Sequence, residues 1–211
     1  QVSIARFYPE GTLISGGLSK WCGAGGWRLG TFTFPHSLRW LLETMAIVAS
    51  ETYTSTSAPI QYAAIRAFEG GMEIEQYLAQ SRRVLRHLGR HVWRRLQTCG
   101  ARVSEPVGAF YLFPDFSALR GKLAERGIRD SAKLCTTLLE ETGVATLPGV
   151  DFGRPLDELT LRLAYVDFDG ARALVAAQQL PPGKELDKAF LELYCPNVVH
   201  AMEALSRWMQ Q

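Results

Sequence analysis

Cysteine is scarce in this chain. Its four thiols, Cys22, Cys99, Cys135 and Cys195, are scattered and form no CxxC pair, which argues against a disulfide framework or a zinc ribbon and predicts the reduced thiols of a cytoplasmic protein. No apolar run reaches the roughly 20 residues that a membrane-spanning helix needs, and the N-terminus lacks the basic and apolar regions of a signal peptide. Nor does one sign of charge dominate. The 23 basic and 21 acidic residues leave a net charge of +2, too mild for nucleic acid to be the main partner. Internal repeats and low-complexity segments are also missing. His87 and His91 stand four apart, as two zinc ligands on a helix can, but no glutamate follows His87 and arginines crowd the pair. No metal is expected, and both read as surface histidines.

What is present is a globular composition: 211 residues, 47% hydrophobic and 21% charged, enough to bury the core of one large or two modest domains. The densest glycine lies at Ser15-Gly16-Gly17-Leu18-Ser19-Lys20-Trp21-Cys22-Gly23-Ala24-Gly25-Gly26-Trp27-Arg28-Leu29-Gly30. It follows Thr12-Leu13-Ile14, which reads as a buried strand edge. Glycine there lets backbone approach a ligand closely. Lys20 in this run is either a solvated loop cation or an amine placed to condense with a carbonyl, and Arg28 is a planar cation able to receive a phosphate on the same ligand. A third cation, Arg162, interrupts the strand-like run Leu159-Thr160-Leu161-Arg162-Leu163-Ala164-Tyr165-Val166. It is either an edge-strand arginine facing water or a fork that meets both oxygens of a carboxylate.

Periodicity places these residues on elements. Strands are predicted near 12–17 and 27–34, an amphipathic helix over 35–50, and a helix over 59–69 opened by Pro59 and ended by Gly70-Gly71. Ile74, Tyr77, Leu78, Leu85, Leu88, Val92 and Leu96 recur near a 3.6 period, predicting one long helix over 73–98 closed by Gly100. Strands follow near 101–104, 107–113, 144–147 and 159–166, with a helix over 130–142 and another capped by Asp169. Beyond Pro181-Pro182-Gly183 two helices are expected. One carries Leu186, Phe190 and Leu193 on a face; the other carries Val198, Met202, Leu205 and Met209.

Ser19-Lys20 followed by Gly26-Trp27-Arg28-Leu29-Gly30, with the arginine eight positions after the lysine, resembles the cofactor-lysine signature of the fold-type I aminotransferases of class I and II. The resemblance continues, more loosely, through Ser57-Ala58-Pro59, Pro106-Val107-Gly108-Ala109-Phe110-Tyr111-Leu112-Phe113-Pro114, Val144 to Gly153, and Leu161-Arg162-Leu163-Ala164. It implies that Lys20 holds pyridoxal 5'-phosphate as a Schiff base, that Arg28 binds its phosphate, and that Arg162 grips the α-carboxylate of the substrate. It further implies an α/β fold: residues 1–72 as the C-terminal end of a fold-type I large domain, and 73–211 as a long linking helix and a mixed α+β small domain. Amino acids and 2-oxo acids are the implied substrates, and a homodimer the implied assembly of the full-length protein. One position departs from the pattern, since many members have a phosphate-binding serine three residues before the lysine and this chain has Gly17. Ser15 and Ser19 are the alternatives.

Only 19 residues precede Lys20, so the chain is expected to be the C-terminal part of a longer enzyme. The family's aspartate on the pyridine nitrogen and its ring-stacking aromatic residue lie upstream of the lysine, so the isolated chain is expected to bind the cofactor poorly and to be inactive. Two rival functions stand beside transamination. One is a related pyridoxal-phosphate lyase or decarboxylase. The other is a non-catalytic aminotransferase-like domain of a transcription regulator, a reading drawn to the basic row Arg82, Arg83, Arg86, His87, Arg90, His91, Arg94 and Arg95. A solvated helix face explains that row more simply, because the overall charge is balanced and no nucleic-acid motif accompanies it.

Overall fold

Strand formers on either side of the glycine-rich run pair with each other. In the computed structural model, which describes residues 2–181 and 183–211, β1 (Ile14–Gly17) and β2 (Gly30–Thr33) form an antiparallel ladder that sets Ile14 opposite Thr33 and Gly17 opposite Gly30. The lysine run is therefore the connection of a hairpin. A single 3₁₀ turn, His36–Leu38, leads into α1 (Arg39–Thr52), and α2 (Ala58–Glu69) opens with proline in its first turn. These elements belong to the first of two compact units, Gln1–Leu78 and Ala79–Gln211. The division falls inside α3 (Met72–Thr98).

The first unit has a thin core of Leu18, Leu29 and Ala64, with Trp21, Cys22 and Ile60 packed around it. α1 buries no residue, and Trp40 and Ile47 are 62% and 67% exposed. Leu13 and Ile14, expected to be buried, are exposed too. A two-stranded ladder has too little surface to bury both faces of its own strands.

The second unit holds the main core. Along α3, Val84, Leu88, Val92 and Leu96 are buried as the 3.6 period requires, and Gly100 follows the helix with φ +84°, a left-handed backbone that glycine adopts without steric cost. β3 (Tyr111–Leu112), α4 (Arg120–Glu125), α5 (Ser131–Thr142), β4 (Leu147–Pro148), β5 (Leu161–Ala164) and α6 (Gly170–Gln178) come next. α7 (Lys188–Tyr194) and α8 (Pro196–Gln210) complete the unit. The sheet is antiparallel in the order β3-β5-β4, so β5 is central.

Carboxylates open three of these helices. Asp130, Asp169 and Asp187 accept from the backbone N–H three residues on, at 2.7, 3.0 and 2.9 Å, caps worth roughly 1 kcal/mol each. The strands are shorter than the sequence pattern predicts. Residues 101–104 contribute only a bridge between Arg102 and Asp115, and 107–113 contract to β3, because Pro106 has no N–H for a ladder and Ala109 takes a left-handed φ of 59°. α8 buries Val198, Met202, Leu205 and Met209 as expected, but on α7 the buried partner of Phe190 is Leu191, while Leu193 is 54% exposed.

Candidate active site

Lys20 lies in the turn that follows β1, in a connection held from both ends. The buried Leu18 donates its N–H to Leu29 O at 3.3 Å, and Ala24 N donates back to Leu18 O at 3.2 Å. Gly23 N donates to Lys20 O at 3.2 Å, closing a tight turn at the lysine, and Gly23 has φ +64°. Two anchored leucines thus fix the connection, with Trp21, Cys22 and Ala24 half-buried against them and Lys20 and Arg28 exposed.

Arg28 is strained. It sits at φ 55°, ψ 43°, in the left-handed region that a non-glycine residue rarely occupies. Its Nη1 donates to Gly25 O at 2.7 Å, and Thr56 Oγ1 donates to its carbonyl at 3.4 Å. Such a conformation costs about 1 kcal/mol or more and persists only where the surroundings demand it. Its consequence here is that Arg28, Lys20, Ser15 and Ser19 line one cleft of about 420 Å³ with the backbone of Gly16 and Gly17. An amine, a guanidinium and two hydroxyls over glycine backbone can take a ligand that carries both an electrophilic carbonyl and a phosphate.

Gly17 has a steric reason to be glycine. A Cβ there would lie 2.9 Å from Leu29 O and 3.4 Å from Gly30 Cα, both backbone atoms. A serine at this position would push against the opposite strand, so among the sequence candidates only Ser15 and Ser19 bring hydroxyls to the cleft.

Arg162 belongs to the second unit and to its central strand. Leu161 and Leu163 point into the core, whereas Arg162 and Ala164 alternate to the other face, where Arg162 is half-buried. Its guanidinium carbon lies 4.6 Å from the centre of the Tyr111 ring and 4.5 Å from that of Phe152. No hydrogen bond or ion pair engages its N–H groups among the described residues. This is not an edge arginine.

Two larger clefts lack this combination of groups. One of about 690 Å³ in the first unit is lined by Tyr53, Gln61, Phe68 and Glu69 among others and by no cation. The other, about 610 Å³ in the second unit, brings together Arg82, Arg86 and Arg90 from the basic row of α3. That row is not a uniform charged face. Arg83 donates to the carbonyls of Ala177, Pro181 and Lys184 at 2.9, 3.1 and 2.5 Å, and Arg90 pairs with Glu105 at 3.2 Å. His87 and His91, expected at the surface, are half-buried, and burial first, then the neighbouring arginines, holds both pKa values below the ordinary histidine range.

Sequence reasoning missed the rings around Arg162. The period of two would have placed Tyr111 and Arg162 on one face once their strands were paired, but nothing in the sequence placed Phe152 beside them.

The family model of class I and II aminotransferases matches residues 3–177. The aspartate aminotransferase of Geobacillus stearothermophilus is 34% identical over 167 residues, 78% of this chain and 40% of that protein. The aspartate/prephenate aminotransferase of Cereibacter sphaeroides is 34% identical over 161 residues, 75% of this chain and 38% of its own length. Among solved structures, an aromatic aminotransferase from Pyrococcus horikoshii superposes with a TM-score of 0.68 at 27% identity, over 95% of this chain and 43% of that one. The Thermus thermophilus aspartate aminotransferase solved with maleate gives 0.71 at 25% identity, over 98% and 44%. The chain thus spans about 40% of the length of the curated relatives it matches. With the match running through both the lysine hairpin and the strand that bears Arg162, the chain belongs to the class I and II aminotransferases.

Proposed function

We propose that this chain is the C-terminal part of a pyridoxal-phosphate-dependent aminotransferase that moves an amino group between an amino acid and a 2-oxo acid. The observation that carries the reading is the cleft in which Lys20 and Arg28 meet beside Ser15 and Ser19. Its donor set fits an aldehyde with a phosphate. Pyridoxal 5'-phosphate, when bound, supplies the aldehyde that takes up the amino group and a ring that draws electrons from the substrate α-carbon. Lys20 Nζ holds the aldehyde end of the cofactor and, once released, moves a proton at the substrate α-carbon as general base. Arg28 binds the phosphate, with hydroxyl donors from Ser15 or Ser19, and Arg162 receives the α-carboxylate through its planar fork.

In this reading residues 1–72 end the cofactor-binding large domain and 73–211 form the linking helix and small domain of a homodimeric enzyme. The four free thiols suit a reducing cytoplasm. In the same reading the 211 residues alone, which span about 40% of the length of the relatives they match, hold the cofactor weakly and do not turn over. Relatives named for aspartate, aspartate/prephenate and asparagine support an amino-acid substrate without choosing its side chain.

The test is borohydride reduction of the cofactor-loaded parent protein, followed by peptide mass spectrometry. A pyridoxyl group is expected on Lys20 and lost in Lys20→Arg. A label on another lysine, or none, would refute the assignment. Release of a product other than the 2-oxo acid would move the reading to the lyase or decarboxylase branch.

A further inference from the structure

The outer face of the β3-β5-β4 sheet is unusual for a strand surface that does not join the core. Such faces are ordinarily polar, yet this one gathers aromatic rings about a single cation. Tyr111 pairs with Ala164 in the β3–β5 register, which sets it diagonally across from Arg162 on the same face. Phe152 comes from the 3₁₀ turn Gly149–Phe152 that follows β4, and Phe113 meets it edge-on, with ring centres 5.8 Å apart at 89°. Both rings that touch Arg162 do so through their π systems, a contact that consumes none of the five N–H donors.

We propose that Tyr111 and Phe152 are positioning residues that hold the Arg162 guanidinium plane in place, with its donor edge left open for a carboxylate. This rests on the reading of Arg162 as the carboxylate-binding residue. An arginine standing on an open strand face samples many rotamers and loses that freedom on binding, which weakens the complex. Two rings within 5 Å of the guanidinium carbon restrict it beforehand. A lysine could not use the arrangement, because a point charge has no plane to orient. Phe113 acts one step further out, as a buttress of Phe152.

The test titrates the 211-residue chain with maleate, a dicarboxylate without an amino group, and follows the Arg162 Nε–Hε resonance by NMR. A saturable shift is expected, absent in Arg162→Gln. Phe152→Leu is expected to weaken binding about two- to fivefold, as for loss of one cation–π contact at a half-exposed site, and Phe152→Tyr to restore it. In the ligand-free chain, Phe152→Leu also speeds rotation about the Arg162 Nε–Cζ bond, a change that a purely structural role for the ring would not produce. Affinity and guanidinium rotation unchanged in Phe152→Leu, with binding still lost in Arg162→Gln, would overturn the positioning role alone. Equal weakening in Arg102→Gln, at a cation outside the ring cluster, would overturn it as well. Maleate binding that survives Arg162→Gln, or no saturable shift in the unsubstituted chain, would overturn the carboxylate reading itself.

Discussion

Replacing Gly17 by serine restores the residue type that many family members carry three positions before the lysine, and the hairpin geometry predicts that it will do harm. The added Cβ would sit 2.9 Å from Leu29 O, several tenths of an ångström inside ordinary contact. The obstacle is backbone that cannot swing away, and the same carbonyl accepts the Leu18 N–H at 3.3 Å. Opening the ladder to admit the Cβ weakens that bond and shifts Leu18 and Leu29, two of the three buried residues of the first unit's core. Overpacking of this kind costs about 1–3 kcal/mol. Loss of glycine's freedom in the unfolded chain returns about 0.4–1 kcal/mol, which leaves a net destabilisation of roughly 1–2 kcal/mol.

Gly16→Ser is the control. Its Cβ would meet Thr31 Oγ1 at 3.0 Å, the end of a side chain that can change rotamer, so a net effect within about 0.5 kcal/mol of zero is expected. Urea unfolding of both variants, with hydrogen exchange of the Leu18 amide as the local readout, separates the two. Exchange at Leu18 should speed up about five- to thirtyfold in Gly17→Ser, the factor that corresponds to 1–2 kcal/mol. A Gly17→Ser protein as stable as Gly16→Ser, with Leu18 equally protected, would show that the strands yield freely and that the glycine has no steric basis.

Three further outcomes follow from the second unit and from the thiols. Gly89→Ala should destabilise by about 1–2 kcal/mol despite a helix-propensity gain of about 1, because its Cβ would lie 2.7 Å from the hydroxyl of the buried Tyr165, itself donating to Ala109 O at 3.1 Å; thermal unfolding of the double variant with Tyr165→Phe should show less than the summed loss. His91 has its pKa lowered by burial first and then by Arg95 and Lys188. The unfolded chain therefore binds the proton more readily, and stability present above about pH 6.5 declines as pH falls through the lowered folded value; His91→Gln should flatten the slope of unfolding free energy between pH 7 and 5, measured by urea denaturation. Alkylation by iodoacetamide at neutral pH should reach Cys22 first in the folded protein, since Cys22 is only half-buried whereas Cys195 is fully buried with its pKa pushed up to about 11. Early labelling of Cys195, read by peptide mass spectrometry, would contradict that burial.

What the sequence disclosed follows the physics of each signal. α3 and α8 were legible because a long amphipathic stripe has one solution: Leu88, Val92 and Leu96 on one, Val198, Met202 and Leu205 on the other. The caps at Asp130, Asp169 and Asp187 mark real helix starts, although only Asp169 was read as one. Strand lengths were poorly legible, because β propensity cannot show that Ala109 adopts a left-handed turn or that Arg102 makes only a bridge. The six-residue α4 carries too few turns to show a period. In the candidate site, spacing offered Lys20 and Arg28 and an alternating run offered Arg162; the structure brings the first two to one cleft and sets Arg162 on the central strand of the second unit's sheet. The strained backbone of Arg28 and the rings about Arg162 depend on pairings between distant segments, which no local pattern encodes.

The two ends of the proposed chemistry are supported in opposite ways. Arg162 stands on the central strand of a sheet whose other face is buried against the main core, with Leu161 and Leu163 at 0% and 3% exposure on either side of it, so its backbone is held by strand pairing on both edges and by core packing. Lys20 stands on a hairpin connection whose unit has three buried apolar residues and leaves Trp40, Ile47, Val48 and Ile65 more than half exposed. A surface of that kind is stable when another apolar surface covers it. The precision of Arg162 is therefore internal to this chain. That of Lys20 comes from steric rules at Gly17 and Arg28, which hold the connection locally but cannot fix the unit beneath it. Substitutions of the rings on the outer face beside Arg162, such as Phe152, should change ligand geometry while leaving stability almost intact, whereas substitutions around Lys20 should change both together.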